Sequence, residues 1–260
     1  MEFLLYIAAG ALVGLAVGVT GVGGGSLMTP LLLLFGFPPH VAIGTDLLYA
    51  AITKSSGMYM HARRHTVQWR IVGLMAAGSL PAAGLTALLL ATVFTDADEY
   101  GGLLTTSLGV MLIMTASVLV FKGRIQQRSL DGDSAVLQSL QHHQGVWTLV
   151  MGLVLGVLVT LSSVGAGAIG TAVLLMLYPH LSPIRIVGTD LAHAVPLTLL
   201  AGLGHLFLGH VDLKLLGALL IGSLPAIWLG THLGTRLPDR VLHPILVTVL
   251  LGLGIKYAVF

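Results

Sequence analysis

Ten apolar segments dominate the sequence and constrain its fold more than any other feature. A helix needs about 20 apolar residues to cross a hydrocarbon core of roughly 30 Å. Six segments reach that length, whereas the first, second, sixth and seventh are shorter and are interrupted by glycine and hydroxyl residues. In chain order the segments lie near residues 3–20, 24–36, 41–61, 70–92, 100–121, 146–161, 165–178, 184–208, 213–234 and 239–259. This pattern predicts an all-α polytopic membrane protein.

The composition argues against several other classes of protein. Hydrophobic residues make up 56% of the 260 residues and charged residues only 8%, which is too few to cover a soluble core. The sequence lacks a basic run, so we expect no nucleic-acid partner. It also lacks cysteine and the His-Glu-x-x-His motif, and no serine has a convincing base beside it. We therefore expect no catalytic residue, no metal site and no cofactor, and we do not expect an enzyme.

One long polar stretch divides the chain into two halves. We predict a first membrane repeat over 1–121, a polar, solvated linker over 122–145 and a second membrane repeat over 146–260. If every segment crosses, most Arg and Lys residues lie on the same side as the linker. The positive-inside rule then places the linker in the cytoplasm and both termini outside. Treating each short pair as a re-entrant hairpin leaves this orientation unchanged.

The two halves are related in sequence. Gly44–Leu47 recurs as Gly188–Leu191, and Gly78–Ala82 recurs as Gly222–Ala226, both at an offset of 144 residues. Each half holds five segments, an odd number, so the second copy enters the membrane upside down. Inverted repeats with interrupted short segments at matching places are typical of secondary transporters that bind substrate at the repeat interface. We therefore expect two inverted repeats of about five helical segments each, with broken or re-entrant short segments.

Glycine-rich clusters mark matching places in the two halves. Gly18–Ser26 with Pro30 following, and then Ala42–Asp46, resembles the sulfite exporter TauE/SafE family. The degenerate second copy, Ser162–Gly170 with Gly188–Asp190, fits the same pattern. This resemblance covers essentially the whole chain. It implies a multi-pass carrier in the inner (plasma) membrane for a small sulfur-containing anion such as sulfite, sulfoacetate or another organosulfonate.

The same clusters are the candidate substrate site. Irregular backbone is tolerated at membrane depth where it lines a cavity, and a broken helix leaves free N–H groups at the start of the next half-helix, near Ser26 and Ala168 in this sequence. Close helix packing through small residues is the alternative explanation. The candidate substrate-binding residues are Thr20, Gly21, Gly23, Gly24, Gly25, Ser26, Thr45, Ser162, Ser163, Gly165, Gly167 and Thr189.

Four of the ionisable residues within the apolar segments are candidate functional groups, because such groups are costly in a membrane and usually functional. Asp46 and Asp190 are equivalent in the two repeats. They are candidates for coupling to a proton or another ion, with helix capping or structural bracing as the alternative. Lys54 has no basic counterpart and is a candidate for ion pairing or anion binding, with snorkelling as the alternative. His193 is a candidate for proton handling.

Two further motifs have structural alternatives. The i, i+4 spacing of His61 and His65 is that of a two-ligand metal site, although adjacent arginines would repel a cation and a surface role is the alternative. Pro81 and Pro225 in the repeated Ser-Leu-Pro-Ala predict kinks at equivalent places, with the preceding serine hydroxyls satisfying the freed carbonyls.

Together these features predict a secondary transporter that moves a small anion by alternating access. Its expected partners are the anion, the lipid bilayer and a coupling ion such as a proton, and the sequence leaves the oligomeric state open. The rival hypothesis is a divalent-metal transporter that uses intramembrane histidine and aspartate.

Overall fold

The protein is all α-helical over the residues that the structure, a computed structural model, describes: 2–20, 27–93, 100–131, 135–234 and 239–259. The prediction of an all-α fold is therefore confirmed. The helices are α1 (Glu2–Thr20), α2 (Met28–Leu34), α3 (Pro39–Arg63), α4 (Trp69–Val93), α5 (Gly101–Asp131), α6 (Ala135–His142), α7 (Gln144–Ser162), α8 (Ala168–Leu177), α9 (Pro183–Phe207), α10 (Leu213–Gly234) and α11 (Asp239–Val259).

Five helices within the described residues are long and apolar enough to cross a membrane: α4, α5, α7, α9 and α10. The sixth segment is longer than its sequence pattern suggests, because α7 has 19 residues. By contrast, α2 and α8 have 7 and 10 residues and are too short to cross at 1.5 Å per residue. Although α3 has 25 residues, it is more polar than the five, and it buries Thr45, Asp46 and Lys54 inside the bundle.

The polar stretch between the halves is more ordered than a solvated linker requires. α5 continues through it as far as Asp131, and α6 follows. Leu140 of α6 packs against the hydrophobic core, and the Gln141 side chain donates a hydrogen bond to the Met176 carbonyl of α8 at 3.1 Å. The end of this stretch is therefore docked on the second half. The division into three regions stays a prediction.

The first helices of the two halves, α1 and α7, make equivalent contacts. α1 packs on α10, and its counterpart α7 packs on α4. A methyl group added to Gly10 of α1 would collide with the Leu219 carbonyl, and one added to Gly152 of α7 would collide with the Met75 carbonyl. Both contacts are close approaches of backbone to backbone that only glycine allows. The internal duplication seen in the sequence is thus repeated in the packing.

α3 and α9 cross at the centre of the molecule and run antiparallel. Gly44, near the start of α3, faces His205 at the end of α9 and His210 just beyond it. Gly188, near the start of α9, faces His61 at the end of α3. The surrounding helices expose many large apolar side chains, whereas the buried aspartate and lysine side chains of the described residues, Asp46, Lys54 and Asp190, all lie on α3 and α9. This distribution suits a bundle with lipid outside and a polar centre.

Candidate functional site

A buried break in the second half separates α7 from α8. Three residues of the break have positive φ: Ser163 at 58°, Gly165 at 116° and Gly167 at 133°. Glycine adopts these conformations at little cost, and Ser163 ends α7 as a left-handed cap. Residues 162–166 are buried in protein, which is where irregular backbone is tolerated at membrane depth.

The matching cluster in the first half, Gly21–Ser26, lies outside the described residues. The predicted site residues Gly21, Gly23, Gly24, Gly25 and Ser26 therefore have no place in the described geometry. Thr20 is the last residue of α1, and its side chain also lies outside the described part of the chain.

The start of α8 offers backbone donors. The first N–H groups of any helix lack an intrahelical partner, and the helix dipole makes that end favourable for negative charge. In α8 this end is the turn that follows Gly167. The Ser162 hydroxyl makes hydrogen bonds to neighbouring backbone groups. It donates to the Leu158 carbonyl at 2.6 Å and accepts the Val164 N–H at 3.2 Å. The Ser163 hydroxyl is buried without a hydrogen-bond partner.

Lys54 of α3 reaches into this break. Its side chain is only 5% exposed, and its Nζ donates to the Ala166 carbonyl at 3.1 Å. The snorkelling alternative therefore fails, because the ammonium group points into the protein and not to an interface. A buried ammonium needs compensation by negative or polar groups. The carboxyl groups of Asp46 and Asp190 are both close enough for their charges to act on it.

Asp46 and Asp190 make equivalent contacts in the two halves. Asp46 Oδ2 accepts hydrogen bonds from the Thr29 hydroxyl and from the Thr29 N–H, the latter at 3.2 Å. Asp190 Oδ2 accepts one from the Thr171 hydroxyl at 3.0 Å. Each Oδ1 is buried without a partner. The two aspartates lie inside α3 and α9 and tie them to the short helices α2 and α8, so they do not cap their own helices.

The Asp46 carboxyl also lies close to Ser163, although the two groups make no hydrogen bond. A methyl group added to Gly170 of α8 would collide with Asp190 Oδ1. The break, Lys54 and both aspartates are therefore neighbours. Residues that are more than a hundred positions apart in sequence form one buried polar centre.

Thr45 and Thr189 lie elsewhere and have a matched structural role. Thr45 Oγ1 accepts the N–H of Asp212 at 3.2 Å, and Thr189 Oγ1 accepts the N–H of Gln68 at 3.0 Å. Each threonine holds the loop before α10 or α4 against the start of α3 or α9. The structure thus ties them to the ends of the α3–α9 crossing and not to the break.

His193 is fully buried and lies near Lys54. Its Nε2 and the Ser79 Oγ share a hydrogen bond of 2.8 Å, and its Nδ1 has no partner. Ser79 therefore bonds an imidazole across the helix interface, and not a carbonyl freed by Pro81 as the sequence suggested. Tyr49, the counterpart of His193, was missed by sequence reasoning, although the offset of 144 residues aligns the two.

His61 and His65 do not form a two-ligand site. α3 ends at Arg63, and His65 has a φ of 53° outside the helix, so the i, i+4 helical spacing is lost. His61 Nδ1 shares a hydrogen bond of 2.8 Å with the Thr66 hydroxyl. Over the described residues, no group of three or more His, Asp or Glu side chains is arranged to hold a metal ion.

A buried chain of hydrogen bonds at the other end of the crossing was also missed. Tyr100 O–H and His210 Nε2 are 2.7 Å apart, His210 Nδ1 and His205 Nδ1 are 3.3 Å apart, and His205 Nε2 lies 3.0 Å from the Thr160 carbonyl. Burial, with the nearby His205 and His40, lowers the pKa of His210 to about 4. Since a carbonyl only accepts, neutral rings order the chain in one direction, from the tyrosine hydroxyl to the carbonyl.

Comparison with known proteins identifies relatives of this chain. A family model described as sulfite exporter TauE/SafE matches residues 6–257. The probable membrane transporter protein YjnA of Bacillus subtilis is 35% identical over 247 residues, which cover 95% of this chain and 96% of that protein. The probable membrane transporter protein YdhB of the same organism is 29% identical, with 89% and 90% covered. A probable membrane transporter protein of Xylella fastidiosa is 28% identical, with 91% and 86% covered.

No solved structure shows a significant match to the chain. The family model nevertheless covers nearly the whole sequence, and the first relative is similar over almost its full length. The resemblance first seen in the glycine clusters and the repeated Gly-Thr-Asp is confirmed. This chain belongs to the sulfite exporter TauE/SafE family.

Proposed function

We propose that this membrane transporter is a secondary carrier for a small sulfur oxyanion, with sulfite or an organosulfonate as its substrate. The observation that carries the proposal is the position of Lys54, a buried cation whose Nζ lies on the α7–α8 break. An oxyanion at the start of α8 would gain the ammonium charge, the first backbone N–H groups of α8 and the Ser163 hydroxyl, which lacks a partner.

Alternating access is supported by the packing of the halves. α3 and α9 are equivalent in sequence and run antiparallel, which is the relation that an inverted repeat requires. Two halves that make equivalent contacts in opposite directions can exchange conformations and expose a central site to either side. In this proposal the polar centre between α3, α9 and α8 is that site.

Proton coupling is supported by the two aspartates beside Lys54. An anion that enters next to two carboxylates is repelled unless at least one of them carries a proton, so anion binding and proton uptake favour each other. Each aspartate has a buried Oδ1 that could carry this proton. In this proposal Asp46 and Asp190 take up and release the coupling proton, and Lys54 balances the remaining charge.

The first experiment is a thermal-stability panel on the purified protein in detergent. A ligand that binds the folded form raises apparent stability by mass action, by about 2.7 kcal/mol at a concentration 100 times its Kd. Sulfite, thiosulfate, sulfoacetate, taurine, sulfate and chloride are compared with zinc, nickel and cobalt. Stabilisation by a sulfur oxyanion that disappears in Lys54→Met supports the proposal. Stabilisation by a metal alone contradicts it and favours the rival metal transporter.

The orientation and membrane are part of the proposal. We infer an inner-membrane protein with residues 122–145 in the cytoplasm and both termini outside. The sequence has no cysteine, so single cysteines introduced at Gly123 and at the C-terminus report the two sides directly. Labelling of the C-terminal cysteine, but not of Gly123→Cys, by an impermeant maleimide on intact cells is the expected result, and the reverse would overturn the orientation.

A further inference from the structure

Two equivalent pairs of buried side chains join the α3–α9 crossing to its flanking helices. Ser79 of α4 faces His193 of α9, and Tyr49 of α3 lies close to Ser223 of α10 and packs in one buried cluster with Leu219 of that helix. Both members of the second pair follow from the first by the offset of 144 residues. All four side chains are at most 1% exposed. The two serines belong to the repeated Ser-Leu-Pro-Ala motif, and neither serine is part of the proposed transport site.

The two pairs are in different states. Ser79 and His193 are joined by a hydrogen bond of 2.8 Å. Neither the Ser223 hydroxyl nor the Tyr49 hydroxyl has a hydrogen-bond partner. Buried polar groups in folded proteins are nearly always paired, so two neighbouring hydroxyls that are both unpaired require an explanation. Each can donate and accept, and a small approach of α10 to α3 would let them bond.

The helices that carry the two serines are also packed unequally, and the helix with the hydrogen-bonded serine is packed more extensively. α4 packs more extensively on α9 than α10 does on α3. Other equivalent contacts are made in both halves, including those of Thr45 and Thr189 with the opposite loops and those of Asp46 and Asp190 with the short helices. The difference between the serine pairs therefore exists beside contacts that both halves share, and a second difference lies at the fifth helices, since over the described residues α5 packs on α7 and α8 more extensively than α11 does on α1 and α2.

We propose that these pairs are alternating contacts of the transport cycle: Ser79–His193 is closed and Tyr49–Ser223 open in the present conformation, and the opposite conformation exchanges them. This inference rests on the proposed alternating access, because it assigns that motion to named residues. Two inverted halves must adopt different conformations at any moment, and a contact that is closed in one half and open in the other is the local form of that difference.

The proposal predicts opposite effects of equivalent substitutions. Ser79→Ala removes the contact that holds the present conformation, and Tyr49→Phe removes the one that would hold the other. Each loss of one hydrogen bond should change the ratio of the two conformations about threefold to tenfold, in opposite directions. The double variant should return close to the parent ratio. Ser79→Thr keeps the hydroxyl and should leave the ratio unchanged.

Cysteine accessibility measures this ratio, since the parent has no cysteine. Leu48→Cys and Ala192→Cys lie at equivalent places near opposite ends of the crossing, and the parent side chains are 7% and 2% exposed. Maleimide labelling rates of the two reporters are compared in detergent, where both sides are reachable. Ser79→Ala should raise labelling at position 192 relative to position 48, and Tyr49→Phe should lower it.

The outcomes separate this inference from the proposed function. If Ser79→Ala and Tyr49→Phe change the labelling rates equally at both reporters, the substitutions loosen the whole protein and the inference is overturned. If neither substitution changes the labelling rates, the inference is overturned as well. Adding sulfite to the two cysteine reporters, without Ser79→Ala or Tyr49→Phe, gives the independent control. If sulfite changes the labelling ratio but the variants do not, transport stands and the alternating contacts fail. If the variants move the ratio oppositely but sulfite has no effect, the contacts stand and the substrate assignment fails.

Discussion

Replacing Lys54 with methionine tests whether the buried ammonium holds the polar centre together. Methionine nearly matches the length of the lysine side chain but cannot donate to the Ala166 carbonyl, a hydrogen bond of 3.1 Å in the structure. A hydrogen bond to a charged group contributes about 1.5–3 kcal/mol to stability. The substitution also removes the positive charge that acts on Asp46 and Asp190.

The magnitude follows from these two losses. Breaking a buried pair by removing one partner costs about 3–5 kcal/mol, and proton uptake by an aspartate would reduce that cost. We expect the free energy of unfolding to fall by about 3 kcal/mol, which corresponds to roughly 10 °C in Tm for a chain of this size. The double variant Lys54→Met/Asp190→Asn should recover at least about 1 kcal/mol, because it removes a carboxylate that would otherwise lack its countercharge.

The assay is thermal unfolding in detergent at neutral pH, with sulfite flux into proteoliposomes measured in parallel. Lys214→Met is the matched control, because Lys214 is exposed and its loss should change stability by less than about 0.5 kcal/mol. A Lys54→Met protein with the parent Tm, unaffected by Asp190→Asn, would refute the reasoning. Unchanged flux in a stable Lys54→Met protein would remove Lys54 from the anion site.

Three further predictions follow from single contacts. Gly170→Ala should lower stability by about 1–3 kcal/mol, because its methyl group would collide with Asp190 Oδ1, whereas Gly217→Ala in α10 meets no atom within 4 Å and should be neutral or slightly stabilising by thermal unfolding. Asp46→Asn should abolish flux driven by a pH gradient while retaining sulfite binding, and an unchanged response to the gradient would assign Asp46 to bracing alone. His210, with its pKa lowered from 6.5 to about 4 by burial, should make the protein less stable as pH falls from 6.5 to 4. Unfolding curves of His210→Gln should show a smaller pH dependence, and an equal one would contradict that assignment.

The membrane class, the helical fold and the duplication could all be predicted from the sequence, because they depend on local properties of the chain. Apolar runs of about 20 residues can satisfy their backbone in lipid only as helices or closed barrels, and their length favours helices. The repeated Gly-Thr-Asp-Leu at an offset of 144 residues placed Asp46 opposite Asp190 without any coordinates. The glycine and serine spacing of the second cluster likewise located the break that ends α7 at Ser162.

Hydropathy was a poor guide to the helix that carries the buried charges. α3 carries Asp46 and Lys54 and is too polar for the hydropathy criterion that five other helices meet, yet it lies at the centre of the bundle. α7 begins two residues before the predicted segment and ends one residue after it, at Ser162, whose side chain is buried against protein and not exposed to lipid. Local polarity does not reveal which environment a segment will meet.

The choice of which polar residues meet is made by the packing of the helices and not by any local pattern. Lys54 contacts Ala166, 112 positions away, and His193 contacts Ser79, 114 positions away. Such pairs are fixed by the packing of α3 on the α7–α8 break and of α4 on α9, and no periodicity within a helix encodes the partner. Thr45 and Thr189 were predicted to line the anion site, but in the structure they contact the loops at the two ends of the α3–α9 crossing. The hydroxyls of Tyr49 and Ser223 lie close together without a hydrogen bond. Whether they bond depends on the distance between α3 and α10, which a sequence pattern alone does not specify.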